Sequence, residues 1–217
     1  MSTPRPARPP IRTVLEGRYA RLEPLAPQHA EDLFAAASVP DADRRYAYLP
    51  SYPPESIDAV RAWIAGQQQL ADPIVFAVVD KASGRAGGWQ QLMRIEPAHG
   101  VIEVGYIYWG PEVAQTRLAT ESLFLLARHV FEDLGYRRFE WKCNDRNEPS
   151  KRAAQRFGFT YEGLFRQHMI VKGENRDTAW FSMLDSEWPA RKAGFERWLD
   201  PANFDAAGVQ REKLLPG

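Results

Sequence analysis

A single cysteine, Cys143, is present in 217 residues. That excludes an intrachain disulfide, so the fold must rest on its apolar core, and a reducing compartment suits it. No apolar run approaches the roughly 20 residues needed to span a bilayer. The N-terminal "MSTPRPARPPIR" has basic residues but no apolar centre, so it does not read as a secretory signal. An excess of one charge is also missing: Lys+Arg and Asp+Glu both number 28, for a formal net charge of zero. Without a basic surplus, broad nucleic-acid affinity is not expected. The four histidines (His29, His99, His129 and His168) are scattered and lack metal-ligand spacing, so no metal is expected. These absences describe a cytoplasmic protein with neither membrane nor nucleic acid as partner.

What remains is an ordinary globular composition, 44% apolar, long enough to bury a sizeable core. Residues 1–13 are rich in proline and arginine and read as a disordered tail. An alternating run at 19–25 reads as a strand and 26–38 as a helix. An aromatic loop with Tyr46, Tyr48 and Tyr52 occupies 39–55. Ser56 opens a helix over 56–69 as its N-cap. Strands are expected at 74–80, 89–96 and 101–109, with "KASGRAGG" as a turn. The strongest helix pattern covers 119–134, where Leu123, Leu126, Ala127, Val130, Phe131 and Leu134 share a face. A strand at 137–143, a helix near 148–157, a hairpin around "GEN" and a helix at 188–199 complete the chain. We divide it into the tail, a catalytic-size domain over 14–187, and a C-terminal helix and tail over 188–217. The order gives a mixed sheet with helices on both faces, an α/β (α+β) arrangement.

Two stretches can carry chemistry. In "YIYWGPEVAQTRLATES" (106–122) a strand ends, a loop turns and a long helix begins. Unpaired N–H groups and the positive dipole end of that helix suit a phosphate, and Arg117 adds a charge. In "NDRNEPSKRAAQRFGF" (144–159) a second strand runs into a second helix. It offers four capping residues where one would do: Asn144, Asp145, Asn147 and Ser150. Either the turn is over-capped, or Asn147, Ser150 and Arg152 meet a ligand. Adjacent strand ends with helices leading away form the kind of crevice in which open α/β sheets hold cofactors.

"NDRNEPSKRAAQRFGFTYEG" resembles the N-x-x-S-x-R…G-F-x-x-E-G signature of the GNAT N-acetyltransferase superfamily. It is most similar to the branch that acetylates N-terminal amines of ribosomal proteins. "ATESLFLLARHVFEDLGYRRFEWKCND" and "VIEVGYIYW" resemble the segments that precede that signature. The likeness covers about residues 15–187 and is densest over 101–163. It implies a GNAT-like fold, with a central mixed, mostly antiparallel sheet whose fourth and fifth strands splay apart. It implies acetyl-CoA as co-substrate and a primary amine, small-molecule or peptide, as acceptor. By the same resemblance the pyrophosphate lies on the loop Gln115, Thr116, Arg117, Leu118, Ala119 and Thr120. Asn147 contacts the cofactor, Arg152 lies near the nucleotide, and Ser150 protonates the leaving thiolate. The backbone at Ile107 or Tyr108 stabilises the oxyanion.

One departure stands out. The family loop reads Arg/Gln-x-x-Gly-x-Gly/Ala, whereas this chain has Ala114 at the first position and Arg117 in place of the central glycine. We expect the Arg117 guanidinium to pair with the phosphates directly. Glu103, in the fourth strand, resembles the family's general base; read on its own it is a solvent-facing strand carboxylate. Tyr46, Tyr48 and Trp89, together with Tyr52 and Met93, are candidates for the acceptor pocket. An acetyl-cysteine on Cys143 has no local histidine to support it, and a packed strand cysteine is the simpler reading. A non-catalytic CoA-binding module of the same fold is the alternative. Pairing of edge strands or C-terminal segments into a homodimer is compatible with the pattern.

Overall fold

The computed structural model describes residues 6–206 and 208–214. Among these residues eight strands form one sheet in the order β1-β2-β3-β4-β5-β6-β8-β7. They are β1 (Leu15–Glu16), β2 (Ala20–Pro24), β3 (Ile74–Asp80), β4 (Ala86–Glu96), β5 (Val101–Trp109), β6 (Arg138–Asn144), β7 (Thr160–Val171) and β8 (Glu174–Leu184). Every neighbouring pair is antiparallel except β5 and β6, which run parallel. With the short β1 counted, the expected fourth and fifth strands are β5 and β6. The turn read at "KASGRAGG" is shorter than expected, because Ala86, Gly87 and Gly88 already belong to β4. The hairpin between β7 and β8 turns at Lys172 and Gly173, whose φ values of 52° and 79° are those of a tight primed turn.

The helices are α1 (Ala30–Ala37), α2 (Ala42–Tyr46), α3 (Ile57–Gln68), α4 (Arg117–Arg128), α5 (Glu148–Arg156) and α6 (Trp188–Leu199). Helices α1 and α3 cover one face of β3–β5, where Leu33, Val60 and Ile64 pack on Val75, Ala77 and Trp89. Helices α4 and α6 cover the other, packing on Phe76, Leu92, Ile102 and Phe139. The aromatic loop expected over 39–55 contains the short helix α2. Helix α4 begins two residues before the expected start, because Thr116 is its cap: its Oγ1 accepts from Leu118 N at 3.1 Å. From Leu118 to Ala127 every residue of α4 is buried. After Arg128 the helix widens into a π-turn over His129–Asp133.

Residues 1–5 of the expected tail lie outside the described residues, but 6–13 are not disordered. Ala7 is buried, its N–H donates to Pro97 O at 3.0 Å, and Arg8 N donates to Leu134 O at 2.8 Å. Nor is α6 an appendage: Trp188 stacks on Phe124 and Phe131 inside the main core.

The first strands are fastened to α4 by one carboxylate. Glu121 is 3% exposed and accepts from three successive backbone donors, Arg18 N, Tyr19 N and Ala20 N, at 2.8, 2.6 and 2.6 Å. Gly17 lets the chain approach, since a Cβ there would meet Glu121 Cδ at 2.6 Å. Removing the acceptor would strand buried donors, at about 1–3 kcal/mol each. Glu121→Ala is therefore expected to destabilise the fold by about 3 kcal/mol or more. Urea unfolding measures it, and an unchanged midpoint would show the grip to be dispensable.

Candidate functional site

The centre of the site is a strand separation with a local cause. Strands β5 and β6 pair only from Val101 to Val104, against Arg138 to Trp141. On the other side of β5, Gly105 pairs with Gln91 and Tyr108 with Trp89. Tyr106 and Ile107 therefore both stand opposite Gln90, which is a β-bulge. Tyr106 takes the left-handed region, φ 46°, without being glycine. The extra residue bends β5 away while β6 continues to Asn144 beside β8. A cavity of about 230 Å³ fills the gap, with Gly105 and Ile107 on one wall and Trp141 and Cys143 on the other.

The turn after β6 uses all of its capping residues. Asn144 Oδ1 accepts from Arg146 N at 2.9 Å, and Asp145 pairs with Lys151 at 3.3 Å. Asn147 Oδ1 caps α5 by accepting from Ser150 N at 3.2 Å, so the expected cofactor contact is also the helix cap. Ser150 Oγ accepts from Trp141 Nε1 at 3.0 Å. Asn147 and Ser150 both line the cavity. Burial pushes the Cys143 thiol above its ordinary value, against a hydrogen bond with Ser150.

Glu103 is not solvent-facing. It is 3% exposed and stands beside Glu140 on the neighbouring strand. Two adjacent carboxylates need a cation. Lys142 Nζ supplies it, 2.9 Å from Glu103 Oε2 and 2.7 Å from Glu140 Oε2, with its charge 3.9 Å over the Trp180 ring. Arg94 Nη1 reaches Glu103 Oε2 at 2.5 Å. On the same sheet face, His168 bonds Thr178 Oγ1 through Nδ1 at 3.0 Å. Burial, then the charges of Arg176, Arg94 and Lys142, lower its pKa below 6.5; only Glu103 works the other way.

A second cavity, about 730 Å³, lies at the start of α4. Gln115, Thr116, Arg117, Ala119 and Thr120 line it, whereas Leu118 faces the core. Gln115 holds φ 63°, whereas Arg117 is helical, so its backbone needs no glycine. The Arg117 guanidinium lies 4.2 Å over Tyr19 and 5.6 Å from the Phe204 ring. Arg152 is exposed and lines neither cavity. The helical face presented is Pro149, Ala153 and Arg156, which puts Arg156 at the wall. Arg156 Nη1 donates to Thr120 Oγ1 at 3.0 Å and lies 5.0 Å from the Trp198 ring; burial lowers its pKa. The sequence reading missed Arg156, Trp198 and Phe204. For Arg156 the helical phase from the Asn147 cap was an available signal; for the two aromatics there was none.

The expected acceptor residues separate. Tyr48 and Met93 line the strand gap. Tyr46 and Trp89 line a third, apolar cavity of about 320 Å³ with Tyr52, Trp63 and Tyr106. Burial pushes the Tyr46 phenol far up. Tyr108 does not face the gap: its ring stacks on Trp89, its OH donates to Ala36 O at 2.8 Å, and burial raises its pKa to about 12. Only its backbone can serve there.

Among the described residues no group of His, Cys, Asp and Glu is placed to hold a metal ion, and no helix is long and apolar enough to cross a membrane. A family model described as an acetyltransferase (GNAT) domain matches residues 20–160. The crystal structure of a GCN5-related N-acetyltransferase from Brucella melitensis is 55% identical, with a TM-score of 0.94, over 96% of this chain and 95% of that one. YdaF of Bacillus subtilis, whose name provisionally makes it a ribosomal N-acetyltransferase, is 28% identical over 109 residues. That match spans 50% of this chain and 59% of the relative's length. A structure of RimL, a ribosomal L7/L12 alpha-N-protein acetyltransferase, shares the fold at TM-score 0.69 and 20% identity, over 79% of this chain and 94% of that one.

The Cys143 thiol, buried and raised, is expected to react with a disulfide reagent at pH 8 at least ~10-fold more slowly than free cysteine. Unfolding in urea should abolish the difference. A fast native reaction would mean that the strand gap leaves the sulfur open and ionised.

Proposed function

Because this chain belongs to the GNAT acetyltransferase family, we propose that it moves an acetyl group from acetyl-CoA to a primary amine by direct attack in a ternary complex. The observation that carries the reading is the bulge at Tyr106, which opens β5 from β6 between a large cavity and a charged face. The large cavity fits acetyl-CoA: it joins a helix N-terminus to the cation Arg156 and to the aromatic rings of Trp198 and Phe204. Asn147 and Ser150 border the gap where the thioester would lie. Arg117 stands at the rim with its charge held by Tyr19, available to the phosphates.

In the reaction the amine nitrogen attacks the thioester carbonyl, the C–N bond forms and the C–S bond breaks. The oxyanion is met by a backbone N–H near Ile107 or Tyr108, released by the bulge. The departing thiolate takes a proton, with Ser150 as donor; its Oγ accepts from Trp141, and its bond with Cys143 is the contact the O–H would exchange for the thiolate. Glu103 receives the amine proton, directly or through water. A second reading gives that task to His168, because burial and the neighbouring cations lower its pKa on the same face.

Titration with acetyl-CoA tests the donor. We expect a Kd on the order of micromolar, weakened about tenfold by Arg156→Ala or Arg117→Ala. Absence of binding would leave a family fold without its co-substrate. An unchanged Kd in Arg117→Ala would remove that residue from the phosphate site.

Turnover against pH separates the bases. Glu103→Gln should lower kcat about 100-fold. His168→Asn should leave the acid limb of the profile in place. The His168 pKa is lowered, so loss of its neutral form would begin only as pH falls through a value below 6.5. An acid limb that vanished in His168→Asn would transfer the role to the histidine.

A further inference from the structure

Among the described residues, the charged face beside the strand gap contains one cation without an acid. Arg94 and Lys142 are paired with Glu103, and Lys142 also with Glu140. Arg176, on β8, lines the same gap as Cys143 and Ser150. Among the described residues no carboxylate lies within ion-pair distance of it. Its Nε donates to Thr178 Oγ1 at 3.2 Å, and the rest of its fork has no described acceptor. Burial pulls its pKa down from the ordinary value, Arg94 acts in the same direction, and Glu103 opposes them. A half-buried guanidinium held short of partners is a preorganised anion site, and a carboxylate fits it two-pronged.

The neighbouring apolar cavity has the opposite character. It shares Tyr106 with the gap and, among the described residues, carries five aromatic side chains, with Glu55 the sole charged one in its lining. Ser51 and Tyr106, bonded through their hydroxyls at 2.5 Å, stand at the junction. A ligand reaching across it places an anionic end by Arg176 and an apolar group among the rings. A plain polyamine would meet three cations, Arg94, Lys142 and Arg176, against the single described carboxylate lining the gap, Glu103, and is disfavoured.

We propose that Arg176 anchors a carboxylate on the acceptor, and that the acceptor is an α-amino acid with a large apolar or aromatic side chain. This rests on the acetyltransferase reading and names its substrate class. The carboxylate would set the adjacent amine at the gap, between Glu103 and the thioester.

The test uses products, which report on the site without turnover. N-acetyl-L-phenylalanine and its uncharged amide are titrated into the full chain, with and without CoA, and into Arg176→Gln and Arg176→Lys. The acid is expected to bind the wild type about tenfold more tightly than the amide. The gap should close in Arg176→Gln and reopen in part in Arg176→Lys, with acetyl-CoA affinity unchanged in both. Equal binding of acid and amide by the wild type overturns the proposal, and that comparison needs no variant to fold. So does an acid that fails to bind, or a preference that survives in Arg176→Gln. Failure of acetyl-CoA to bind would instead strike the donor reading, which is measured separately.

Discussion

The left-handed backbone of Tyr106 is the constraint from which the site follows. A strand residue other than glycine held at positive φ costs on the order of 1–3 kcal/mol and persists only where its surroundings enforce it. Those surroundings are specific. The Tyr106 hydroxyl is tied to Ser51, and its ring lies 6.2 Å from that of Trp89. Opposite the bulge, Gln90 is wholly buried and its Nε2 donates to Ser122 O of α4 at 2.8 Å, so β4 cannot slide to absorb the extra residue. The strain is thus passed to β5, which leaves β6 after four paired positions.

Around the parting of the strands, polar side chains must be partnered, and local groups take that role. On one side that role falls to the turn after β6, where Asn144, Asp145, Asn147 and Ser150 each bind a different partner. On the other side it falls to charge. Glu103 and Glu140 would repel at neighbouring positions; Lys142 between them, over Trp180, turns the repulsion into a closed network. Arg138 extends it to Glu162 on β7, whose carboxyl is pulled down to about 2 by that guanidinium. Such buried ions are held in place chiefly because removing either partner would be costly. They make a rigid, polar floor on which one more cation, Arg176, is left available.

Much of the frame was legible from periodicity. The stripe from Leu123 to Leu134 is buried as its spacing required, Ser56 caps α3, and the bounds of α6 agree. The N-x-x-S spacing of Asn147 and Ser150 also predicted their neighbourhood, because a cap and the residue three further on are fixed by the helix itself. Arg152 was misplaced by one helical phase: three residues after the cap and five after it face different ways. The missing glycine at Arg117 was a weaker objection than it looked, since that residue is helical and its side chain swings onto Tyr19.

Local sequence thus determined the elements, their caps and the family to which they point, since each depends on residues a turn or two apart. It could not decide the surroundings of Glu103, read alone as a surface carboxylate. Its partners Arg94 and Lys142 come from different strands, and nothing local pairs them. Nor could it place Trp198 and Phe204 against the start of α4, or leave Arg176 without an acid. Those outcomes depend on strand register and on the packing of distant segments, which only the tertiary structure decided.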